Sequence, residues 1–282
     1  MPAPVPPSVA TKIQAYIDNG RVAWSEGYQE YKRQEIQKAI QNQQIIEAFK
    51  KTHLPEKYGF RLDERIVEYA WIFANLSRES KTMLDAGSTF NFDYLVNDEI
   101  IKNKYLFIHT YHPEMPSYHT NRISYVYGDL RELPYKDDFF DEIVCQSTIE
   151  HIDMDNSMYG YDITHHQKQE VKSYEYLKAV QETLRVLKSQ GLFLLTFPYG
   201  KFENHGFFQQ FDKEMLDQIL LLMANIGNYE LSFFRYTPEG WIVTSQESCQ
   251  NIESFNPHTN RGKGTDGAAH CRSICCIKFV KL

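Results

Sequence analysis

The chain has 282 residues, 42% of them hydrophobic and 24% charged, as in an ordinary globular protein with one large domain or one domain and a cap. The formal net charge of -7 does not favour binding to nucleic acid, so we expect no nucleic-acid partner. No stretch approaches the roughly 20 apolar residues of a membrane span. The 5 cysteines show no regular disulfide spacing, which favours reduced thiols and a cytoplasmic location.

The first 60 residues are predicted to form a helical extension or cap, followed by a main domain over residues 61–282. Residues 8–18 look helical and end at an Asp-Asn-Gly stop. Residues 21–52 are polar with only a rough apolar stripe, which favours a solvated helix that lies on the main domain. A cap over a pocket and an arm for a homodimer are the alternatives.

From residue 62 onward, helical and strand-like patterns alternate. Helices are predicted at 62–78, 93–102, 166–188 and 212–224, and a glycine cap at 189–191 closes the third of them. Strands are predicted at 82–85, 105–110, 123–127, 141–146, 192–197, 229–236 and 271–281. This alternation predicts a mostly parallel sheet with helices on both faces.

Short polar residues follow the first strand, where an open sheet of this type binds its ligands. Gly87 allows a ligand to approach the backbone, and Asp85 can accept from the turn's amides or from a ligand ammonium. Ser88, Thr89 and Asn91 are short and can form hydrogen bonds. Each acid alone is better explained as a helix cap or turn former. The ordered set of polar strand ends favours a small-molecule site.

Four blocks of the chain resemble class I S-adenosylmethionine-dependent methyltransferases of the type 11 kind: residues 84–88, 128–135, 138–145 and 147–152. Residues 185–191 and the apolar strand after them are similar to a later signature of that family. The resemblance covers residues 60 to 282. It implies a Rossmann-like three-layer sandwich, with a seven-stranded, mostly parallel sheet whose antiparallel last strand lies beside the sixth.

The resemblance also implies S-adenosyl-L-methionine as the cofactor, lying across the first four strand ends. Asp85 and Gly87 would line its methionine part, Asp129 and Leu130 would hold the adenine, and Ser147 would face the methionine end. The full set implied for the cofactor is Asp85, Ala86, Gly87, Ser88, Thr89, Asn91, Thr110, Asp129, Leu130 and Ser147.

The activity implied is methyl transfer to an oxygen or nitrogen of a small-molecule or glycan acceptor. His151 is the candidate base, because it follows the fourth strand and an imidazole titrates near neutral pH. The alternative is that Glu150 and His151 only cap or orient the next segment. The residues expected around the acceptor are Asp153, Tyr159, Tyr161, Tyr199 and His205.

Two departures from the family pattern keep a second function open. Thr89 and Asn91 stand where the family often has further glycines, and the second strand lacks its usual acid for the ribose, with Glu114 the only acid nearby. A non-catalytic binding or scaffold protein that retains the fold is therefore the alternative. A nicotinamide-dependent oxidoreductase would need a better glycine fingerprint at residues 87–91.

Three other motifs lack the context that their chemistry requires. The G-x-G-x-x-G at residues 262–267 follows no clear strand and opens no helix. Neither of two histidine-containing groups has a compact zinc spacing, so no metal site is predicted. These groups are His109, His112 and His119 with Glu114, and His270 with Cys271, Cys275 and Cys276.

Overall fold

The structure is a computed structural model that describes residues 8–51, 53–157 and 171–282. Its helices are α1 (Val9–Asp18), α2 (Tyr28–Gln41), α3 (Gln43–Lys50), α4 (Arg65–Asn75), α5 (Asp93–Val96), α6 (Glu99–Lys102), α7 (Tyr176–Val186), α8 (Lys213–Met223) and α9 (Gln246–Cys249). Its strands are β1 (Thr82–Ala86), β2 (Tyr105–Thr110), β3 (Ile123–Tyr127), β4 (Phe140–Gln146), β5 (Leu187–Pro198), β6 (Glu203–Asn204), β7 (Gln209–Gln210), β8 (Gly227–Thr237), β9 (Gly240–Thr244) and β10 (Ser273–Lys281).

The main sheet has eight strands within the described residues, in the order β3-β2-β1-β4-β5-β10-β8-β9. Strands β1 to β5 pair in parallel, whereas β10 runs antiparallel to both of its neighbours, β5 and β8. The Rossmann-like, mostly parallel sheet with an antiparallel last strand is thus confirmed. The strand count differs from the predicted seven, because β8 continues through a tight turn into β9 and pairs with it as a hairpin at the sheet edge.

Helices cover both faces of the sheet, which makes three layers. Successive residues of the central strands point to opposite faces: Met83 and Val144 belong to one hydrophobic cluster, and Leu84 and Cys145 to the other. The first cluster includes buried side chains of α1 to α6, and the second those of α7 and α8. Burial on both faces explains why these strands read as nearly continuous apolar runs.

The N-terminal segment forms two helices after α1 where one was predicted. The break falls at Asn42, whose side chain accepts hydrogen bonds from the backbone of Gln44 and Ile45 and so caps α3. Both α2 and α3 pack against α4, and their buried residues, among them Tyr28 and Phe49, join the first cluster. The extension therefore shares a hydrophobic core with the sheet rather than resting on it as a solvated helix.

The region around residue 190 also differs from the prediction. Helix α7 ends at Val186, and β5 already begins at Leu187, which pairs with Phe140. The register then shifts so that Glu142 pairs with Leu192, and the residues between form an irregularity in β5 that includes Gly191. The predicted glycine cap is thus a strand irregularity. The predicted helical residues 166–170 lie outside the described part of the chain.

Two further structural features bear on the earlier expectations. Asp212 caps α8 as predicted, since its side chain accepts from the backbone N–H of Met215 at 3.1 Å. Among the described residues, no helix is long and apolar enough to cross a membrane.

Candidate active site

The carboxylate of Asp85 organises the turn that follows β1. It accepts hydrogen bonds from the backbone N–H of Thr89 at 3.0 Å, from the Thr89 hydroxyl at 2.9 Å and from the backbone N–H of Phe90 at 2.8 Å. Burial raises the pKa of Asp85 to about 6, although these three hydrogen bonds favour the ionised form. The buried carboxylate of Asp85 therefore fixes the conformation of the turn. The hydroxyl of Thr89 contributes one of the hydrogen bonds that do so.

Gly87 makes a contact that no other residue could make. Its φ of +129° lies in a region that side chains avoid, and a Cβ at this position would lie 2.1 Å from the Oγ1 of Thr148. The turn after β1 is thus packed directly against the loop that follows β4. The single glycine of this turn is required by contact within the protein, and neighbouring Ser88 also has a positive φ, of +60°.

A cavity of about 550 Å³ opens at the carboxyl ends of β1 to β4, and we call it the strand-end cavity. It is lined by Arg65, Tyr69, Gly87, Ser88, Thr89, Phe92, His109, Thr110, Tyr111, Glu114, Gly128, Asp129, Leu130, Arg131, Ser147, Thr148, His151, Ile152, Asp153 and Asn156. Seven of the residues expected to bind the cofactor are among them. Three others, Asp85, Ala86 and Asn91, are buried and do not line it.

Glu114 returns to the cavity wall from the loop after β2. Its carboxylate accepts from Ser88 Oγ at 2.6 Å, from Thr110 Oγ1 at 3.1 Å and, less closely, from Asn91 Nδ2 at 3.3 Å. Asn91 also donates to the carbonyl of Pro116, which fixes the same loop. An acid is therefore present beside the end of β2, although the sequence placed it four residues beyond Thr110.

Asp129, at the end of β3, is held by a guanidinium group. Arg131 Nη2 lies 2.7 Å from Asp129 Oδ2, and Arg131 Nε contacts both carboxylate oxygens. Arg131 is held in turn by Glu175 at 3.1 Å, so the pair is tied to the start of α7. Although partial burial opposes ionisation, the hydrogen bonds and charge of Arg131 lower the pKa of Asp129. This end of the cavity presents a fixed, ionised carboxylate beside the apolar side chain of Leu130.

His109 lies in the wall between these two acids. It is fully buried, its Nδ1 lies 3.3 Å from the Tyr135 hydroxyl, and its Nε2 has no partner with hydrogen-bonding geometry in the described residues. Burial lowers the pKa of His109, which keeps the ring neutral at neutral pH. The backbone of Gly128 and the charge of Asp129 act against this lowering, which places the ring next to the turn after β3.

Ser147 directly follows β4 and has a left-handed conformation, with φ of +40°, that only a constrained site retains in a residue other than glycine. Its hydroxyl donates to Glu68 Oε1 at 2.5 Å, and its N–H donates to the carbonyl of Thr196 at 2.9 Å. The other oxygen of Glu68 lies 2.5 Å from Arg65 Nη1. Arg65 lines the cavity, and the buried carboxylate of Glu68 compensates its charge.

His151 faces the same end of the cavity. Its Nδ1 lies 2.7 Å from the carbonyl of Phe207, and because a carbonyl only accepts, Nδ1 carries the proton and Nε2 has the lone pair. Burial lowers the pKa of His151 to about 4, so the ring is neutral at neutral pH. Asn156 donates to the carbonyl of His151 at 2.9 Å and holds the loop in place. His151 has the tautomer that a proton acceptor needs.

Glu150 is buried beside His151 and behind the wall. Burial raises its pKa to about 8, and its Oε2 has no hydrogen-bond partner in the described part of the chain. The carboxyl group lies in the field of Arg65, Glu68 and Glu64. Three buried carboxyl groups thus lie around one partly exposed guanidinium next to the cavity.

The residues expected around the acceptor divide into three groups. Asp153 lines the cavity, and its carboxylate accepts from the hydroxyl of Ser173 at 2.8 Å. Tyr199 does not reach the cavity, because its ring packs on Phe233 in the second cluster. His205 is also placed elsewhere and stacks on Phe208 at 4.5 Å between ring centres. Tyr159 and Tyr161 lie outside the described residues.

Sequence reasoning missed Arg65 altogether and discounted Glu114 and His109. A charged residue at the start of the otherwise apolar helix α4 was the available signal for Arg65. Glu114 was visible but stood late in its loop, and His109 was weighed only as a metal ligand. The positions of these three residues depend on the tertiary fold of the chain around the cavity. Spacing along the sequence does not show that fold.

One family model matches the chain, that of a methyltransferase domain, over residues 111–195. This range is less than a third of the 282 residues, and it contains Asp129, Ser147 and His151 but not the turn after β1. None of the curated proteins compared with the chain matches it.

Several solved structures are similar in fold. YcgJ of Bacillus subtilis is 15% identical, with 72% of this chain and 93% of that chain covered and a TM-score of 0.43. A SAM-dependent methyltransferase of Methanosarcina mazei is 12% identical, with 75% and 97% covered and a TM-score of 0.44. The 1,6-didemethyltoxoflavin-N1-methyltransferase of Burkholderia thailandensis is 11% identical, with 99% and 93% covered and a TM-score of 0.42. At these identities the likeness is one of fold.

The strand order, the antiparallel β10 and a cavity across the first four strand ends define a Rossmann-like fold with its cavity where such sheets bind their ligands. Residues 111–195, which match a methyltransferase domain, include the ends of β3 and β4 that border this cavity.

The strand-end cavity suits S-adenosyl-L-methionine, the cofactor that the sequence resemblance implies, in size and in chemistry. Its volume of about 550 Å³ is within the range of ligand pockets. The carboxylates of Glu114 and Asp129 offer acceptors to hydroxyl and amino groups, and His109 Nε2 is a buried polar atom without a partner in the described residues. The wall has the acceptors that a nucleoside needs at one end, and His151 lies at the other.

Proposed function

We propose that this chain transfers the methyl group of S-adenosyl-L-methionine to an oxygen or nitrogen of a small-molecule or glycan acceptor. The observation that carries this proposal is that a single cavity joins the acids Glu114 and Asp129 to His151. One end therefore suits a nucleoside, and the other presents a neutral imidazole.

In the binding step, Glu114 accepts hydrogen bonds from the ribose hydroxyls and Asp129 lies at the adenine, with Leu130 packing on the base. Ser88 and Thr110 fix the carboxylate of Glu114 before the cofactor arrives, which lowers the entropy lost on binding. Arg131 fixes Asp129 in the same way. These contacts hold the cofactor in one orientation.

The cofactor, when bound, supplies an electrophilic methyl group on a sulfonium. The protein orients the acceptor in line with that group and removes its proton. His151 is placed for this role, because the carbonyl of Phe207 keeps the proton on Nδ1 and leaves the lone pair on Nε2. Ser147, held by Glu68, shapes the wall near the methionine end.

Arg65, Asp153 and Asn156 line the acceptor end and offer both hydrogen-bond donors and an acceptor. Such a mixed polar wall suits a hydroxylated or amino-bearing molecule better than an alkyl chain. The net charge of -7 does not favour a nucleic-acid acceptor.

The test is a methyl-transfer assay with purified protein, cofactor and panels of sugar, phenol and amine acceptors, read by formation of S-adenosylhomocysteine. The proposal predicts product that depends on one acceptor class and carries the methyl on oxygen or nitrogen. Transfer only to carbon or sulfur would contradict it. Cofactor binding without transfer to any acceptor would favour the scaffold function.

A further inference from the structure

A second cluster of chemically active side chains lies behind the acceptor end of the cavity. It joins Glu64, which precedes α4, to His270 and Cys271, which precede β10. Because β10 is antiparallel, its first residues lie at the same edge of the sheet as the carboxyl ends of the parallel strands. The topology thus brings together residues that are 206 positions apart, counted from 64 to 270.

The three ligand-type atoms of this cluster converge. One carboxylate oxygen of Glu64, one ring nitrogen of His270 and the sulfur of Cys271 all lie within 4.8 Å of one another. His270 Nδ1 lies 3.3 Å from Glu64 Oε1 and 3.0 Å from Cys271 Sγ. These separations are close to those between ligands around a tetrahedral zinc ion, whose bonds are about 2.0 to 2.3 Å long.

The cluster is not satisfied by its own hydrogen bonds. His270 Nδ1 carries at most one proton, yet it faces both an oxygen and a sulfur. Glu64 is only 5% exposed, and its Oε2 has no hydrogen-bond partner in the described residues. A buried carboxylate oxygen without a partner is costly, and a cation would remove that cost.

The surrounding charge also favours a cation. Glu64, Glu68 and Glu150 are buried together, and Arg65 is the guanidinium that faces them. Glu150 also has an oxygen without a partner in the described part of the chain. The buried carboxylate of Glu64, whose Oε2 has no partner in the described residues, is thus a negative charge that a divalent metal ion would compensate.

We propose that Glu64, His270 and Cys271 bind a zinc ion at the edge of the acceptor site. The mixed set of oxygen, nitrogen and sulfur ligands selects zinc over magnesium or calcium, which prefer oxygen alone. Three protein ligands leave one coordination position, as in zinc sites that also bind water or a substrate. Sequence spacing did not predict this site, because its acid comes from a distant helix start.

The test uses the full chain, stripped with a chelator, reloaded with Zn²⁺ and desalted, and then assayed for bound metal. Wild-type protein is expected to retain stoichiometric zinc. Cys271→Ala and Glu64→Gln are expected to lower zinc affinity at least about tenfold. The matched control is Cys276→Ala, since Cys276 is equally buried in β10 but outside the cluster, and it should bind zinc as the wild type does.

Cobalt gives a readout that does not depend on a variant keeping its fold. Wild-type protein loaded with Co²⁺ is expected to show a thiolate-to-cobalt absorption band, and the Cys276→Ala variant should show the same band. Wild-type protein that retains no zinc, or a cobalt complex without thiolate absorption, would overturn the proposal. Unchanged zinc affinity in a folded Cys271→Ala variant would overturn it as well.

Discussion

Ser88 Oγ donates to Glu114 Oε2 at 2.6 Å, and this contact joins the turn after β1 to the loop after β2 across 26 positions of sequence. It brings Glu114, which stands late in its loop, back to the end of β2. The pairing also explains why a serine can follow Gly87: its hydroxyl holds the acid that faces the ligand. Asn91, which stands in place of a glycine of the family pattern, and the late acid after β2 are thus connected, because Asn91 Nδ2 also donates to Glu114.

Replacing this acid should weaken cofactor binding. Glu114→Gln keeps the size of the side chain but removes its charge, and hydrogen bonds to charged groups contribute about 1.5–3 kcal/mol. We expect the Kd for S-adenosyl-L-methionine to rise about 10-fold to 100-fold by calorimetry. Glu99→Gln, at an exposed site on α6, is the control and should leave Kd unchanged. Equal affinities in the two variants would refute the role of Glu114.

Two glycines with positive φ allow the contact of Gly87 to be separated from backbone strain. A Cβ at Gly87 would meet Thr148 Oγ1 at 2.1 Å, whereas a Cβ at Gly206 would meet nothing within 4 Å. Gly206→Ala should therefore cost only the strain, about 1 kcal/mol of the free energy of unfolding. Gly87→Ala should cost clearly more in chemical denaturation. Similar losses for both variants would show that the turn does not depend on its packing against Thr148.

Removal of the proposed base should affect chemistry but not cofactor binding. With an acceptor identified, His151→Ala is expected to lower kcat about 10²-fold to 10⁴-fold. The Kd for S-adenosyl-L-methionine should stay within a factor of about three, because His151 lies at the acceptor end. If His151→Ala kept full kcat, His151 would not be the base. Its role would then be to orient the loop through its contact with the carbonyl of Phe207.

The buried His109 predicts a pH dependence of stability. Its pKa is lowered by burial, so below about pH 6.5 the unfolded chain binds a proton that the native chain does not. The free energy of unfolding should therefore fall as the pH decreases, by at most about 1.4 kcal/mol per pH unit from this group. In His109→Gln this contribution is absent. Denaturation at pH 7.5 and pH 5.5 checks it, and a difference between the two proteins that is constant with pH would contradict it.

The sequence predicted the sheet well because burial on both faces produces long apolar runs. Met83, Val144 and Leu194 all lie in strands that were predicted from such runs. It failed where polar residues fold against the core, as in the N-terminal helices, whose apolar stripe is too irregular to be read. The boundary between residues 1–60 and 61–282, and a homodimer through the N-terminal helices, stay predictions.

Position along a strand could be predicted for two of the residues expected in the site. Asp129 and Ser147 follow β3 and β4 and line the cavity. Tyr199 also follows a strand end, but packing against Phe233 turns its ring into the core. Glu114 needed a loop that folds back, and no local pattern encodes that path. Tertiary packing decides which way a side chain points after a strand end. A single sequence does not show that packing.

The most direct test of the account is calorimetric titration of the wild-type chain with S-adenosyl-L-methionine, beside two tryptophan variants. Leu130→Trp places a larger ring in the wall of the cavity, and Leu221→Trp adds the same ring at a site on α8 that is 64% exposed. We predict saturable 1:1 binding to the wild type and to Leu221→Trp, and its loss in Leu130→Trp. No heat at millimolar cofactor, or unchanged affinity in a folded Leu130→Trp variant, would contradict a cofactor bound in the strand-end cavity.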